Sequence, residues 1–480
     1  MDEGSILLIV GGVLLISILI TMLTSRWGVP SLVVFLLLGM LLGADGIGNI
    51  QFQNVELARF IGTIGLVAIL FEGGLSTSRR RLREVALPAA SLSTIGVAVT
   101  AILSGLGAKF LFDFTWLQAF LLGSVIASTD AAAVFATLRF TKIRRRLART
   151  LEAESGGNDP AAIALTAGLI AWIQQPTYGL GDLSLLLLRE LGLGLLLGLL
   201  LGGISMWAFS RLPRSVGAFA PVASLATAAV SFGVVESLGG SGFLAVYVVG
   251  LAIGSTPSRY RNQMTTFHEG LAFLAQVAMF VVLGLFVVPH ELTSVAVASI
   301  SIAILLMFLI RPIAVWISTF FLDFTNKERA LLGWAGLRGA VPIVLGMFVL
   351  SSEIPSADVI FNTVFFVVLI SALVQGTTLE QVAQSLGVLD ELPKEKSKKR
   401  RSKMAKIKFE VAPHHAIVGA KIKEIGLPGD AVIIDLAREH THLKPNPDTL
   451  IEVDDRLTVY APREMYPEIE DVFMRWRRRV

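Results

Sequence analysis

Apolar segments follow one another along most of this chain before residue 380, and each is near the length that a helix needs to cross a bilayer. We place thirteen of them, at residues 5–24, 29–43, 57–75, 86–111, 116–138, 150–173, 184–210, 218–237, 241–255, 265–288, 293–320, 328–350 and 358–379. The 480-residue chain is 54% hydrophobic and 16% charged, and it contains no cysteine. This composition excludes a soluble globular protein, a disulfide framework and a thiolate metal site. The sequence therefore predicts an all-α polytopic membrane protein.

Positive charge is distributed unevenly among the connections between these segments. The even-numbered connections and the span ends beside them carry Arg59, Lys109 and Arg189. The odd-numbered connections carry Arg26, Arg79, Arg80, Arg81, Arg83, Arg139, Lys142, Arg144, Arg145, Arg146, Arg149, Arg211, Arg214, Arg259, Arg261, Lys327 and Arg329. Basic residues stay on the cytoplasmic side, so we predict that the amino terminus lies outside and the carboxyl tail inside. The basic run 141–149 could instead bind nucleic acid, but the flanking apolar segments favour topology as its cause.

Two carboxylates interrupt the sixth apolar segment, in the stretch Glu154-Ser155-Gly156-Gly157-Asn158-Asp159-Pro160. A charged side chain at bilayer depth costs at least about 2.5 kcal/mol on insertion scales, so it normally faces a cavity or a partner and marks an ion path. Ser155 and Asp159 lie four residues apart and share a helix face, whereas Glu154 and Asn158 form the neighbouring stripe. This spacing predicts two different roles for the two acids.

The fifth and twelfth segments each contain residues that interrupt helices. Ser128, Thr129 and Asp130 can satisfy free backbone groups at an unwound turn, and Arg338 lies between glycines and a proline in the twelfth segment. The two segments are seven apart and therefore oppositely oriented, as expected for two six-span repeats joined by the seventh span. We predict two inverted repeats whose broken helices cross near the bilayer midplane, where unwound carbonyls can face a cation.

Glu72 ends the third segment, just before the arginines at 79–83. It is either a deep carboxylate on the ion path or an interfacial acid, and the sequence leaves both open. Glu236 and His268 lie near predicted span ends, so we expect interfacial solvation to explain them.

The character of the sequence changes after Leu379. Residues 393–407 form a basic polar linker suited to lie against anionic lipid headgroups. The remainder has the pattern of a small soluble α/β domain, in which Ala431–Ala437 predicts a buried strand and Leu457–Tyr460 another. We therefore divide the chain into a transmembrane domain at 1–392, the linker at 393–407 and a cytoplasmic domain at 408–480.

Three motifs together resemble those of the monovalent cation:proton antiporters of the NhaP type. They are Ser128-Thr129-Asp130-Ala131-Ala132-Ala133-Val134-Phe135, Glu154-Ser155-Gly156-Gly157-Asn158-Asp159-Pro160 and Gly336-Leu337-Arg338-Gly339-Ala340-Val341-Pro342. The Ser-Gly-Gly-Asn-Asp-Pro form is most similar to the cell-volume-regulation potassium/proton branch. Residues 408–480 resemble the TrkA carboxyl-terminal module, the carboxyl-terminal part of a regulator of potassium conductance domain. The resemblance covers about residues 5–380 and implies an inverted-repeat, usually dimeric transporter, with a nucleotide as a candidate ligand of the tail.

The resemblance also implies roles for individual residues. It makes Asp159 the group that holds the cation or the proton, with Ser155, the Thr129 backbone and Glu72 as further oxygen ligands. It pairs Glu154 with Arg338. This pair also agrees with the energetics of burial, because an acid and a base at depth each cost several kcal/mol alone and far less together.

Two further positions are assigned supporting roles by the same resemblance. Asp130 would cap the broken fifth helix, and Asn158 occupies the place that a second carboxylate fills in electrogenic relatives. Family patterns usually carry bulkier residues than Gly156 and Gly157, so we expect the packing beside Asp159 to differ in this chain.

The predicted function is secondary antiport of K⁺ or Na⁺ against H⁺, in pH, cation or volume homeostasis, with no enzymatic activity and no cofactor. A single carboxylate at the site predicts electroneutral exchange. A cation channel would need a carbonyl filter sequence, which this chain lacks. An intramembrane aspartyl protease built on Asp130 and Asp159 is disfavoured by Asn158 and by a partnered Arg338, and a membrane cation sensor would not need Asp159. We expect a homodimer in the cell membrane that contacts lipid and no nucleic acid.

Overall fold

The structure is a computed structural model, and it describes residues 3–27, 31–138, 143–212, 217, 219–256, 258, 260–389, 404–427, 431–438, 441–443, 445–462 and 466–477. The chain divides into two compact units, residues 1–390 and residues 391–480. Each unit has a hydrophobic core of its own. The first unit is helical, and the second is built on a small sheet.

The helices of the first unit follow the predicted membrane spans in order, and among the described residues four of the spans consist of two helices each. The helices are α1 (Glu3–Trp27), α2 (Ser31–Leu42), α3 (Val55–Ser76), α4 (Arg79–Ser91), α5 (Val97–Leu111), α6 (Trp116–Val125), α7 (Ala131–Thr137), α8 (Arg145–Gln174), α9 (Leu180–Ser210), α10 (Ala220–Ser237), α11 (Gly242–Gly254), α12 (Arg261–Phe286), α13 (Pro289–Leu305), α14 (Arg311–Ser318), α15 (Asn326–Trp334), α16 (Ala340–Ser351) and α17 (Ala357–Leu386). Within the described residues, six helical stretches are long and apolar enough to cross a membrane unaided, and shorter apolar helices accompany them. The predicted multi-pass helical architecture is confirmed.

The fourth and eleventh spans share an irregularity that supports the inverted repeat. A π-helical turn at 92–96 joins α4 to α5, and a second at 306–310 joins α13 to α14. Pro312 has no amide hydrogen to offer a carbonyl in the preceding turn, which favours this widened geometry. The two spans are seven apart, and they touch where Ser91 Oγ donates to the Ser318 carbonyl at 2.6 Å. Two copies of the same repeat in opposite orientation explain the matching π-helical turns and the contact between the two spans.

The fifth and twelfth spans are both interrupted, as predicted. Residues 126–130 separate α6 from α7, and residues 335–339 separate α15 from α16. The first helix of each pair begins with a capping box, Thr115 with Gln118 and Thr325 with Glu328. Each break leaves free backbone groups at the ends of two half-helices, which need partners inside the protein.

The second unit contains a four-stranded antiparallel sheet in the order β1-β4-β2-β3. Its elements are β1 (Met404–Glu410), β2 (Val432–Arg438), β3 (Thr441–Leu443), β4 (Arg456–Pro462) and the helix α18 (Tyr466–Arg477). The predicted strands at 431–437 and 457–460 are confirmed, although β2 buries one face only because Val432 and Ile434 are exposed. Asp455 is fully buried and accepts from Arg438 Nε at 2.8 Å and from Arg438 Nη2 at 2.9 Å. These bonds raise the pKa of Arg438 and tie β2 to the loop before β4.

The predicted linker at 393–407 lies largely outside the described residues and stays a prediction there. The predicted carboxyl-terminal boundary of the linker is wrong, because β1 begins at Met404 and pairs with β4. Ile407 and Phe409 alternate with Lys406 and Lys408, so apolar side chains face the core while lysines face solvent. Lys406, one of the basic residues that suggested a linker, thus lies on the outer face of a strand.

Candidate functional site

The two helix breaks meet, and a backbone hydrogen bond and a side-chain hydrogen bond join them. The Asp130 amide donates to the Leu337 carbonyl at 2.8 Å, and Arg338 Nη1 donates to the Ser128 carbonyl at 2.6 Å. Gly339 allows this approach, since a Cβ atom there would overlap the Asp130 carboxylate. Asp130 Oδ1 in turn accepts the Ala133 amide at 3.1 Å and caps α7. One amide and one carbonyl of the first break thus find their partners in the second.

Asp159 of α8 lies at this crossing. Its side chain is 5% exposed, and its Oδ1 accepts a 2.5 Å hydrogen bond from Ser128 Oγ, on the unwound turn between α6 and α7. The ion-pair contacts of the described residues include none to Asp159. A buried carboxylate without a basic partner is stable only when a proton or a cation neutralises it.

Ser155, Thr129 and Asn158 form a second set of contacts beside Asp159. Ser155 Oγ donates to the Thr129 carbonyl at 3.1 Å and accepts from the Ala131 amide at 3.3 Å. Asn158 Nδ2 donates to Thr129 Oγ1 at 2.5 Å, while Asn158 Oδ1 is buried without a hydrogen-bond partner among the described residues. The structure thus brings together carboxylate, hydroxyl, amide and carbonyl oxygens within one turn of α8 and one helix break.

Glu154 forms a buried ion pair, but its partner differs from the predicted one. Arg311 Nη2 lies 2.5 Å from Glu154 Oε1, and the two side chains are 2% and 1% exposed. The prediction of a Glu154–Arg338 pair is wrong, because Arg338 donates instead to the Ser128 carbonyl. Arg338 still lies close enough to both Arg311 and Glu154 to interact with their charges. Glu154 thus pairs with Arg311, and Arg338 lies near both of their charges.

Arg311 is absent from the predicted site, although the sequence contains a signal for it. It is a lone arginine inside the eleventh apolar segment, and a proline follows it. The argument from the cost of charge at depth, which singles out Asp159, applies equally to this residue.

Arg338 is held by a further contact, in which its amide donates to Ser371 Oγ at 3.0 Å.

Glu72 and His268 lie elsewhere in the first unit. The Glu72 carboxylate is half-buried and accepts from Ser76 Oγ at 2.7 Å, and no described hydrogen bond connects it to Asp159. His268 is fully buried on α12, where its Nε2 lies 2.9 Å from Ser224 Oγ and its ring packs against Phe71. Interfacial solvation is therefore the wrong explanation for His268, since α12 buries it two turns from its start.

The chemistry available at the crossing suits a monovalent cation. Within the described residues no three carboxylate or imidazole side chains converge as they would around a tightly bound metal. Oxygen donors with one uncompensated carboxylate favour a hard cation with modest charge, and the same carboxylate can hold a proton in its place. The site can thus accept either ion, one at a time.

Comparisons with known proteins identify the family of each unit. Residues 13–385 match the family of sodium/hydrogen exchangers, over its transmembrane part. Residues 407–474 match the TrkA-C domain. The family matches thus cover both units of the chain.

Several relatives align along almost the whole chain. The K(+)/H(+) antiporter NhaP2 of Shewanella sp. (strain ANA-3) is 35% identical over 98% of this chain and 84% of that protein. The K(+)/H(+) antiporter NhaP of Alkalimonas amylolytica is 35% identical over 97% of this chain and 83% of that protein. The Na(+)/H(+) antiporter NhaH of Halobacillus aidingensis is 26% identical and covers 78% of this chain and 96% of its own length.

A solved structure shares the fold of the first unit. The sodium proton antiporter MjNhaP1 from Methanocaldococcus jannaschii, at pH 8, superposes with a TM-score of 0.73. It covers 80% of this chain and 99% of its own, at 24% sequence identity. The family match over most of the length, the relatives at 35% identity and the shared fold agree, and this chain belongs to the sodium/hydrogen exchanger family and carries a TrkA-C domain.

Proposed function

We propose that this protein exchanges a monovalent cation for a proton across the cell membrane, and that Asp159 carries both ions in turn. The observation that carries the proposal is a buried carboxylate without a basic partner at the crossing of two broken helices. The protein's relatives named as K(+)/H(+) and Na(+)/H(+) antiporters support it. Exchange of this kind serves pH, cation or volume homeostasis.

Competition for one carboxylate couples the two ions. When Asp159 is ionised, its oxygens together with Ser155 Oγ and the Thr129 carbonyl offer a cation the ligands that replace its water. When Asp159 is protonated, the positive charge of a cation is no longer compensated and the cation leaves. Rocking of one repeat against the other would then expose the same site first to one side and then to the other.

We propose K⁺ as the physiological cation, with Na⁺ as the alternative, because the relatives at 35% identity are named K(+)/H(+) antiporters. The test is cation-dependent proton flux in proteoliposomes that hold the purified full chain and a pH-sensitive dye. Addition of K⁺ to acid-loaded vesicles should raise the internal pH, and Na⁺ should do so at higher concentration. Flux equal to that of protein-free vesicles with both cations would reject the proposal.

We further propose that the Arg-rich connections face the cytoplasm, with the amino terminus outside and the carboxyl tail inside. A homodimer is proposed from the resemblance to the family. Labelling of single cysteines placed at residue 2 and in the tail, in a chain that has no native cysteine, tests the orientation. Equal access of both labels from one side would contradict it.

Exchange is expected to be electroneutral, one cation for one proton. The neighbour of Asp159 is Asn158, whose amide donates to Thr129 and carries no charge, so both loaded forms of the site have the same net charge. Membrane potential, which contributes about 2.3 kcal/mol per elementary charge and 100 mV, then has no effect on the driving force. Protein on a solid-supported membrane should give no sustained current after a cation jump, whereas an Asn158→Asp variant should gain one. A sustained current in the wild type that reverses with the cation gradient would refute one-for-one exchange.

The carboxyl tail is proposed to regulate exchange rather than to perform it. The end of α17, which leads into the tail, contacts the start of α8, which carries Asp159. Arg144 donates from its amide to the Val388 carbonyl at 3.1 Å, and from its guanidinium to the Gly387 carbonyl at 3.3 Å and to Glu328 at 3.2 Å. A displacement of the α17 end would therefore reach both α8 and the helix before the second break.

Removal of residues 404–480 should leave exchange intact and alter its dependence on pH, cytoplasmic cation or a nucleotide. Couplings between sites of this kind typically change affinity by about fivefold or more. Arg144→Gln in the full chain should reproduce part of the shift, and Arg145→Gln, an exposed neighbour, serves as the matched control. Flux profiles measured over pH and cation concentration test this. Complete loss of flux in a well-folded truncation would make the tail part of the transport machine.

A further inference from the structure

One face of α8 carries a second carboxylate in line with Asp159. Glu152 precedes Asp159 by seven residues, which is two helical turns or about 10 Å along the axis, and Gly156 lies between them on the same face. Glu152 is nearer the start of α8, the end that follows the basic residues at 144–146. In the proposed orientation a cation from the cytoplasm meets Glu152 before Asp159.

The surroundings of Glu152 offer oxygen atoms, and no ion pair to its carboxylate is present among the described residues. Thr77 Oγ1, on a residue that is 2% exposed, donates to Glu152 Oε1 at 2.8 Å. The carboxylate of Glu72 lies close enough to Glu152 and to Glu269 for the charge of each to repel its own. Within the described part of the chain, no ion pair neutralises any of these three acids. Such an arrangement is stabilised by a cation that enters it.

Tyr247 of α11 closes the space between Glu152 and Asp159. Its side chain is 7% exposed, and its ring lies on Gly156, where a Cβ atom would overlap the ring carbons and the hydroxyl. The absence of a side chain at Gly156 makes room for this ring. The phenol therefore stands at the boundary between the two carboxylates, and both interact with it electrostatically.

The hydroxyl of Tyr247 has no hydrogen-bond partner among the described residues. The hydroxyl of Thr77 is close by, and its single hydrogen has two acceptors within reach, Glu152 Oε1 and the Gly73 carbonyl, each at 2.8 Å. A buried hydroxyl without a partner is unusual in a native structure and indicates a group that binds there. This buried oxygen is an observation independent of the carboxylates, and it points to a ligand beside Glu152.

We propose that Glu152, Thr77 and Tyr247 form a second binding site for the transported monovalent cation, two turns along α8 from Asp159. The three residues offer one carboxylate and two hydroxyl oxygens, a donor set for K⁺ or Na⁺ that is too sparse for a tightly held divalent ion. Since no cage of three acids is present among the described residues, Glu72 and Glu269 act only through their charge. The cation loses part of its water here and then passes the ring of Tyr247. Weak sites in series allow an ion both to enter and to leave.

This inference rests on the proposed function, and a binding assay separates the two. Purified full-length Asp159→Asn protein should retain a saturable component of radiolabelled Rb⁺ binding, since the second site does not need Asp159. Glu152→Gln in that background should weaken this component by about tenfold or more, because one charge is lost from the site. Tyr247→Phe keeps the ring and should weaken it in the same direction. Glu56→Gln, an exposed acid at the other end of α3, should leave it unchanged.

Transport measured separately from each side of the membrane gives a second test, in protein that carries no other substitution. Glu152→Gln should raise the cation KM by about tenfold from the cytoplasmic side and by less from the other side. No residual Rb⁺ binding in the Asp159→Asn protein, or a residual component that Glu152→Gln leaves unchanged, would overturn the second site. Wild-type protein without cation-dependent proton flux would instead reject the proposed function, whatever the binding assay gives.

Discussion

Asp159→Asn is expected to abolish cation-dependent proton flux in proteoliposomes while the protein still folds and inserts. Asparagine preserves the size of the side chain and its hydrogen bond to Ser128, but it can neither release a proton nor neutralise a cation. One charge at about 4 Å contributes about 4 kcal/mol at an effective dielectric constant of about 20. Its loss weakens cation binding by about a thousandfold. We expect the dye response to fall to that of protein-free vesicles.

The matched control for this variant is Asp113→Asn. Asp113 is exposed on the loop between α5 and α6, so the same chemical change there should leave flux at the wild-type rate. Size-exclusion chromatography and thermal unfolding of both variants would show that the fold is retained. Wild-type-like flux in the Asp159→Asn protein would contradict the proposed mechanism and direct attention to Glu72 or Asp130 as the carrier.

Neutralising either member of the Glu154–Arg311 pair should lower the free energy of unfolding by about 3–5 kcal/mol, because the remaining charge is buried without its partner. The double variant Glu154→Gln/Arg311→Met should cost much less than the two losses added together. Glu154→Gln is expected to be the more damaging single change, since it removes the charge that acts on both Arg311 and Arg338. Unfolding in mixed micelles with increasing SDS provides the measurement.

A second double-mutant cycle, between Glu154 and Arg338, tests which of the two arginines is the partner of Glu154. Arg338 donates to the Ser128 carbonyl and supports the helix break, so its coupling to Glu154 should be smaller than that of Arg311. If the losses of unfolding free energy of the two single variants add to that of the double variant within about 0.5 kcal/mol, the Glu154–Arg311 pair would be disproved. A larger coupling in the Glu154–Arg338 cycle would restore the pairing predicted from the sequence.

Much of the membrane architecture could be predicted from local features of the sequence. The apolar segments have the length that a bilayer demands, and a backbone in lipid can satisfy its hydrogen bonds only as helices or closed barrels. The breaks at 126–130 and 335–339 follow from capping residues, glycine and proline, which act within one turn. The offset of seven spans between the breaks then indicates inverted topology by counting alone.

The tail shows where a local pattern is ambiguous. Lys406 and Lys408, two positions apart, are equally compatible with a basic linker and with the outer face of a strand. The pairing of β1 with β4, about fifty residues later in the chain, decides in favour of the strand. A strand needs a partner, and its partner is distant in the sequence.

The sequence by itself determined that acids and arginines are buried at bilayer depth, because the cost of a charge there depends only on how far it lies inside an apolar segment. Only the tertiary structure decided which of them meet. Arg311 and Arg338 are equally plausible partners for Glu154 on that argument, and the choice depends on how α8, α14 and the second break are rotated against one another. The same holds for Tyr247 on Gly156, since helices that cross place side chains together by packing and not by sequence spacing.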